Sequence, residues 1–345
     1  MKTPNDEHFM QLALAQAGKG IGRTSPNPAV GAILVVEGKV IAQGHHRGAG
    51  RAHAEVECLR AARDRITRDA ILYVTLEPCS TRGRTPPCTD AIIAAGVKQV
   101  VVGAIDVNPA HSGRGIDVLR AAGVKVSTGV LAAACTALNE HFNHWIRTGR
   151  PFVIAKCGMT PDGHLTRLPS ESQWITSAAA RRHAHRFRAQ VDAILVGAET
   201  VRADNPHLTV HGVRAARQPW RVVLSKSGCL PATAHLFEDA HKERTLVFRE
   251  ESLASVLDQL GAREVTSVLI EGGGAVLGQA LDQRLIDRVQ IYLGSMLTGG
   301  SVCAFAGHGA GSTEGATRLH EIVYEKVGAE IFLTGKTAAG PVISE

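Results

Sequence analysis

The sequence predicts two different α/β domains, and three observations carry that expectation. The chain has 345 residues, more than one domain at roughly 100–200 residues each. Short apolar runs alternate with helical patterns from residue 30 to residue 145, the layout of a sheet with helices on its faces. At Thr148-Gly149-Arg150-Pro151 a glycine and a proline end a long helical pattern, and a second alternating series begins at once. The domains are therefore set at 1–148 and 149–345.

The elements follow in order. Phe9 to Gly18 reads as a short amphipathic helix, and Gly18 to Pro28, rich in Gly, Pro, Ser and Asn, as a loop. Val30 to Val36 is a buried strand, turned at Glu37-Gly38-Lys39 into a second strand, Val40 to Gln43. His53 to Arg65 carries its apolar residues on one side, as a helix does. Ala70 to Leu76 and Gln99 to Ile105 read as strands, with a helix between them, Thr89 to Ala95, stopped at Gly96. Val124 to Thr128 is a short strand before an Ala-rich helix, Leu131 to Trp145. In the second series Phe152–Lys156, Ala193–Val196, Trp220–Leu224, Thr245–Phe248, Ser267–Ile270 and Arg288–Leu293 read as strands. Ser177–Arg188 and Ala275–Leu281 read as helices, and the Gly-rich stretch Thr298–Gly315 as a long loop.

Composition narrows the class. Hydrophobic residues at 44% and charged residues at 20% suit a chain that buries real cores and exclude a disordered or collagenous one. Aromatics at 4% argue against a stacking platform for single-stranded nucleic acid. A net charge of +6 suits phosphorylated small ligands as well as it suits nucleic acid. The first 20 residues hold no apolar core of signal length, and no run reaches 18 apolar residues, so no membrane span is expected. Seven irregularly spaced cysteines are not a disulfide framework; a reducing cytoplasm, with some thiols binding metal or doing chemistry, is expected.

His53-Ala54-Glu55 falls at the start of a predicted helix, Pro78-Cys79 follows a strand, and Pro87-Cys88 comes eight intervening residues after Cys79. One imidazole and two thiolates suit tetrahedral zinc, and three protein ligands leave the fourth position to water, whose ionisation zinc brings near neutral pH. Glu55, two residues from His53, can shuttle a proton without being a ligand. The order His-x-Glu then Pro-Cys is that of zinc nucleobase deaminases, where two residues rather than eight separate the cysteines. The turn-forming residues of Arg82-Gly83-Arg84-Thr85-Pro86-Pro87 can return the second thiolate. A structural zinc site is the alternative; it needs a fourth ligand, and Cys58, His45 and His46 are available. Asn27, in the loop Ser25-Pro26-Asn27-Pro28, is either a hydrogen-bond partner for a base edge or a turn residue.

Pro26-Asn27-Pro28-x-Val30-Gly31, His53-Ala54-Glu55-Val56, Thr75-Leu76-Glu77-Pro78-Cys79-Ser80 and Gly83-Arg84-Thr85-Pro86-Pro87-Cys88 resemble one family. It is the bifunctional pyrimidine deaminase–reductase family of riboflavin biosynthesis, whose variant cysteine spacing this is. The resemblance implies a cytidine-deaminase-like three-layer fold over 1–148. It further implies one zinc ion per chain on His53, Cys79 and Cys88, with Glu55 as proton donor. The implied reaction is deamination of a diaminopyrimidinone carrying a ribosylamino phosphate, with Asn27 as a candidate substrate contact.

In the second domain, Ile270-Glu271-Gly272-Gly273-Gly274 ends a strand and opens a helix, a geometry in which backbone N–H groups hold phosphate. It matches neither G-x-G-x-x-G, since position 277 is Leu, nor a P-loop. Alone it is equally a plain strand–turn–helix. Ser172-Gln173-Trp174-Ile175-Thr176-Ser177, Arg188, Gly197-x-x-Thr200-Val201-x-Ala203-Asp204-Asn205-Pro206-x-Leu208-Thr209 and Glu271 with its glycines resemble the reductase half of the same family. This implies a dihydrofolate-reductase-like domain over 149–345 that uses NADPH to reduce the ribosyl chain to ribityl. The implied cofactor contacts are Gly158, Trp174, Thr200, Asp204 and the run Gly273, Gly274, Ala275, Val276, Leu277, Gly278, Gln279. The implied substrate contacts are Ser172, Arg188, Leu208 and Glu271, with Arg188 a bidentate partner for phosphate. Lys156 is a candidate near the reacting carbon, or a solvated strand-end lysine.

Departures from the family pattern stand at Pro161, His211, Ser225-Lys226 and Gly294-Ser295-Met296-Leu297. A neutral His or a Met cannot replace a cation, so phosphate is held less tightly there or by other groups. The resemblance runs from about Phe9 to about Leu333 and implies a small phosphorylated pyrimidine partner, a homo-oligomer, no nucleic acid and no membrane. Two other readings stay open: a base or nucleotide deaminase with a degenerate second domain, and a zinc-stabilised nucleic-acid binder. The last predicts a fourth protein ligand and salt-dependent RNA binding.

Overall fold

The computed structural model describes residues 4–82, 85–165 and 174–338. The chain divides into two compact units, Met1–Gly149 and Arg150–Glu345. No helix among the described residues is long and apolar enough to cross a membrane.

The first unit runs α1 (Pro4–Gly18), β1 (Gly31–Val36), β2 (Lys39–His45), α2 (Ala54–Ala62), β3 (Ile71–Leu76), α3 (Cys88–Ala94) and β4 (Gln99–Ala104). It continues with α4 (Arg114–Ala121), β5 (Lys125–Thr128), α5 (Ala132–Leu138) and α6 (Glu140–Thr148). The sheet order is β2-β1-β3-β4-β5; β1 is antiparallel to β2 and β3, and β3, β4 and β5 are parallel. Both faces are apolar at a period of two. Ala32 and Leu34 of β1 pack with Cys58 and Leu59 of α2, Ile92 of α3 and Leu119 of α4. Ile33 and Val35 face the other way, onto Phe9, Met10 and Ala13 of α1 and Cys135 of α5. Strands covered on both faces read as continuous apolar runs, which is why the sequence exposes them so plainly.

Two differences from the sequence pattern have physical causes. The pattern over 131–145 predicts one helix, but the helix breaks at Asn139, which leaves helical backbone with φ −111°. Its buried amide accepts from the Ala29 N–H at 2.7 Å and donates to the Ala29 carbonyl at 3.0 Å, tying the break to the loop before β1. Helix α4 has no signal in Ser112-Gly113-Arg114-Gly115. Its first turn instead takes its hydrogen-bond acceptor from the Glu77 carboxylate.

The second unit runs β6 (Phe152–Met159), α7 (Ala178–Arg188), β7 (Ala193–Gly197), α8 (Ala198–Asp204), β8 (Trp220–Ser225), α9 (His235–Glu238) and β9 (Thr245–Arg249). It continues with α10 (Leu253–Ala262), β10 (Ser267–Ile270), α11 (Gly274–Asp282), β11 (Arg288–Leu293), β12 (Leu319–Val327) and β13 (Glu330–Thr337). The order is β12-β13-β11-β6-β10-β7-β8-β9, with β13 antiparallel to both of its neighbours, β12 and β11, and the remaining pairs parallel. Val153, Ala155 and Cys157 of β6 pack with Leu257 of α10 and Leu277 of α11. Phe152 and Ile154 pack on the opposite face with Val201 of α8 and Leu236 of α9. Helix α10 was legible: Ser252 caps it by accepting from the Ser255 N–H, and Leu253, Val256, Leu257 and Leu260 keep helical spacing. The hairpin β12–β13 was not, because β12 is exposed along nearly its whole length.

The Gly-rich stretch 298–315 holds no helix or strand beyond an isolated bridge between His164 and Cys303, and it lies on α11. The Ala306 N–H donates to the Gly274 carbonyl at 2.9 Å. A Cβ at Gly274 would stand 2.0 Å from the Cys303 carbonyl oxygen, so only glycine permits this approach.

Candidate active sites

In the first unit, His53 precedes α2, Cys79 follows β3 and Cys88 opens α3. Their ligand atoms all lie within 4.8 Å of one another, and this trio is the grouping that could hold a metal among the described residues. His53 Nδ1 stands 3.1 Å from Cys88 Sγ and 3.5 Å from Cys79 Sγ. Its Nε2 stands 3.4 Å from Thr85 Oγ1, a contact that holds the ring with Nδ1 turned toward the thiols. Cys79 is pulled down to about 4, first by the thiol hydrogen bond from Cys88, and Cys88 is correspondingly pushed up. A thiolate, a second thiol and an imidazole converging at this distance are the donor set zinc takes, with a fourth position left to water. Cys58 packs into the core, His46 is engaged elsewhere, and none of Cys58, His45 and His46 belongs to the grouping, so none of the three completes a four-ligand structural site.

Glu55 lies in the first turn of α2, 3% exposed. Burial pushes its carboxyl up to about 7, and it hydrogen-bonds with Cys88. A carboxyl so placed can hold and release a proton beside the ligands. Asn27 Nδ2 donates to His46 Nε2 at 3.2 Å, and His46 Nδ1 donates to the Ala52 carbonyl at 3.1 Å. Asn27 is thus held by its amide rather than left as a plain turn residue.

Sequence reading missed several side chains. Thr85 orients His53, Asn139 pins Ala29 beside the Asn27 loop, and Glu77 accepts backbone N–H groups from residues 106, 113, 115 and 116. Thr85 and Glu77 both sit in quoted motifs; the partners of Glu77, like those of Asn139, lie at sequence distances that leave no local trace.

In the second unit a cavity of about 620 Å³ opens at the carboxyl ends of β6, β7 and β10, where ligands bind in open parallel sheets. Gly158, Trp174, Thr200, Asp204 and Gly273 line it, as do Lys156, Arg188, Leu208 and Glu271. Thr200 Oγ1 accepts from the Gly273 N–H at 3.2 Å, fixing the turn into α11. Gly274 to Gln279 form α11 itself, where Leu277 packs in the core and Gly274 and Gly278 lie against the 303–307 loop. Ser172 lies outside the described residues.

Arg188 differs from its expected role as a free fork for phosphate. Its Nε and NH2 donate to the two Glu271 oxygens at 2.7 and 2.6 Å, and NH1 donates to the Thr209 carbonyl. Lys156 Nζ stands 3.7 Å from Glu271 Oε2. Burial acts to raise the Glu271 carboxyl, but Arg188 and Lys156 hold it down at about 2. His185 and His211 also line the cavity with ring centroids 3.9 Å apart, and the His211 N–H donates to His185 Nδ1. Burial, then Arg188, pushes His185 down to about 4. Arg181 and Arg182 of α7 add two further cations to the wall. Ser225 and Lys226 are not among its lining residues.

Both units resemble known proteins. Residues 3–104 match the cytidine and deoxycytidylate deaminase zinc-binding region, and residues 151–333 match the RibD C-terminal domain. The chain is 37% identical over 348 residues to the riboflavin biosynthesis protein RibD of Aquifex aeolicus, covering 95% of this chain and 97% of that one. It is 38% identical to RibD of Escherichia coli, covering 85% and 89%. Among solved structures, RibD of Acinetobacter baumannii aligns with a TM-score of 0.89 at 33% identity, over 97% of this chain and 99% of that one. A Thermotoga maritima protein described as a diaminohydroxyphosphoribosylaminopyrimidine deaminase/5-amino-6-(5-phosphoribosylamino)uracil reductase aligns with a TM-score of 0.87 at 35% identity, over 97% and 99%.

Proposed function

The chain belongs to the RibD family of riboflavin biosynthesis proteins, and from that premise we propose how its residues divide the two reactions. It is a bifunctional enzyme, a zinc-dependent deaminase joined to an NADPH-dependent reductase. The deaminase occupies 1–148 and acts on 2,5-diamino-6-(5-phosphoribosylamino)pyrimidin-4-one; the reductase occupies 149–345 and converts the ribosyl chain to ribityl. The observation that carries this reading is the convergence of His53, Cys79 and Cys88 beside the buried Glu55.

His53, Cys79 and Cys88 would hold the zinc, and the chemistry it would supply there is activation of a water for attack on the amino-bearing ring carbon. Glu55 takes a proton from the attacking water and gives it to the ring nitrogen, then takes the remaining hydroxyl proton and delivers it to the departing ammonia. Asn27, its amide fixed by His46, meets the pyrimidine edge. In the reductase, the chemistry that NADPH would supply when bound is hydride for the open-chain imine or carbonyl carbon. Gly158, Trp174, Thr200, Asp204 and the Gly273 to Gln279 segment form the cofactor side, with the helical part of that segment supporting the Gly273 turn rather than lining the cavity. Lys156 presents an ammonium proton to the cavity, which the reduced heteroatom needs. Leu208 and the Arg188–Glu271 pair form the substrate side, and Ser172 is assigned a substrate contact on the family resemblance alone. With the Arg188 fork occupied by Glu271 and the Arg181 guanidinium bonded to the Thr176 carbonyl, Arg182 of α7 is the cation assigned to the phosphate.

Seven free cysteines fit a cytoplasmic setting. A homo-oligomer without nucleic-acid partners completes the reading, and light scattering on the purified protein tests the oligomeric state. The deciding experiment follows ammonia release and NADPH oxidation in one cuvette with the diaminopyrimidinone substrate. Oxidation lagging behind ammonia is expected. Ammonia without NADPH oxidation would favour a deaminase with a degenerate reductase half, for which the departures at His211, Ser225-Lys226 and Met296 are the reason.

A further inference from the structure

Glu77 is buried, 5% exposed, at the end of β3 and two residues before the ligand Cys79. Its backbone N–H donates to the Ala104 carbonyl at 2.9 Å and so continues the β3–β4 ladder. Its carboxylate spends its acceptors on one stretch of chain. Oε2 accepts from the N–H groups of Asp106 at 3.2 Å and Gly113 at 2.9 Å. Oε1 accepts from Gly115 at 2.9 Å and Ile116 at 3.4 Å. The negative charge therefore sits on the first turn of α4, where unpaired N–H groups and the helix dipole favour it. The contact is tight on the ligand side too. A Cβ at Gly115 would stand 2.0 Å from the Pro78 carbonyl oxygen, so α4 presses directly on the peptide that leads into Cys79.

Cys79 is held from its other side by α3. The Thr89 N–H donates to its carbonyl at 3.2 Å, and the Cys88 N–H donates to its Sγ at 3.4 Å. Between β4 and α4, the segment that Glu77 anchors at both ends comes back to the ligand loop, where His111 Nδ1 stands 3.3 Å from Thr81 Oγ1. We propose that Glu77 is the positioning residue of the deaminase site: its four backbone hydrogen bonds lock the Pro78–Cys79 step between α3 and α4 and thereby set where Cys79 Sγ stands relative to His53 and Cys88. This rests on the zinc site assigned above. It needs a carboxylate and not merely a polar side chain. Four N–H donors converge on two oxygens, and a glutamine would turn an N–H₂ group toward two of them.

The test is Glu77→Gln in the full chain, with Glu77→Asp beside it. Metal affinity is measured by competition with a chromophoric chelator, ligand geometry by the visible spectrum of the cobalt(II)-substituted protein, and turnover by ammonia release. NADPH oxidation with already deaminated substrate reports on the rest of the chain. Glu77→Gln is expected to weaken metal binding about 10–100-fold, as loss of an outer partner does at other metal sites. The cobalt spectrum should shift and ammonia release should fall, with NADPH oxidation unchanged and Glu77→Asp intermediate. Wild-type metal affinity, cobalt spectrum and ammonia release in Glu77→Gln would overturn the proposal. So would equal loss of both activities, which marks a general fold role. If Glu77→Gln does not fold, a wild-type cobalt spectrum and affinity in Glu77→Asp overturn it instead. A wild-type chain that binds neither zinc nor cobalt would sink the zinc-site reading itself, a result distinct from these.

Discussion

Both units bury a glutamate, and the two carboxyls go opposite ways. Glu55 in the first unit is 3% exposed and is pushed up to about 7, chiefly by that burial. The Glu271 side chain in the second is 6% exposed and subject to the same push, yet Arg188 and Lys156 hold it at about 2. One residue type at one depth gives a group that can carry a proton and a group that stays a fixed charge. What decides is the cation beside it: Glu271 has a bidentate guanidinium, whereas Glu55 has an imidazole and two thiols. The first suits acid–base chemistry and the second suits holding a pocket in shape.

The comparison breaks most sharply at Glu55. Glu55→Gln is expected to keep the metal and lower ammonia release by about 10²–10⁴-fold, with NADPH oxidation of deaminated substrate untouched. Undiminished ammonia release would remove Glu55 from proton transfer. At Arg188 the expected loss is stability. Arg188→Ala leaves the Glu271 charge buried without its fork and should cost about 3–5 kcal/mol in the unfolding transition of the second unit, read by urea titration. Adding Glu271→Leu should recover most of that, because no charge then remains buried alone. A double variant no better than the single would show that packing, not charge, sets the cost.

A pH titration sharpens the same contrast. His185 is held neutral at about 4 against an ordinary 6.5, by burial and then by Arg188. Above pH 6.5 both folded and unfolded chains leave it neutral; between 6.5 and 4 only the unfolded chain takes up the proton. Stability of the second unit should therefore fall as pH drops through that window, by up to about 3 kcal/mol. His185→Leu should flatten the slope, and an unaltered slope would place the titration elsewhere. The smallest effect is expected at Asn139. Asn139→Ala strands the N–H and carbonyl of Ala29 and should cost about 2 kcal/mol. It should raise the KM for deamination through the adjoining Asn27 loop, with no change in NADPH oxidation.

Legibility followed the same physics. The strands that pack on both faces, β1, β3, β4, β6, β7 and β10, announce themselves as apolar runs because most residues along them are buried. Helix α10 was equally readable and was passed over. Helix α4 and the hairpin β12–β13 were not readable. The one begins in a glycine-rich stretch and is started by Glu77, and the other is an exposed ladder whose only local support is its own pairing. At the sites, His53, Glu55, Cys79 and Cys88 stood out because zinc chemistry demands particular atoms in a short pattern. Arg188 and Glu271 stood out as well, but their pairing did not.

By itself, the sequence determined the chemistry: which side chains can bind zinc, which can carry a proton, and which stretches alternate into sheets. Those properties belong to residue types and short spacings, and they survive whatever the rest of the chain does. Only the tertiary structure decided that Arg188 grips Glu271 across 83 positions instead of standing free. It alone decided that Asn139 reaches Ala29 across 110, and that Glu77 starts a helix at 113. Each of these satisfies a buried polar group, and the satisfying partner is chosen by proximity after folding, which no local pattern records.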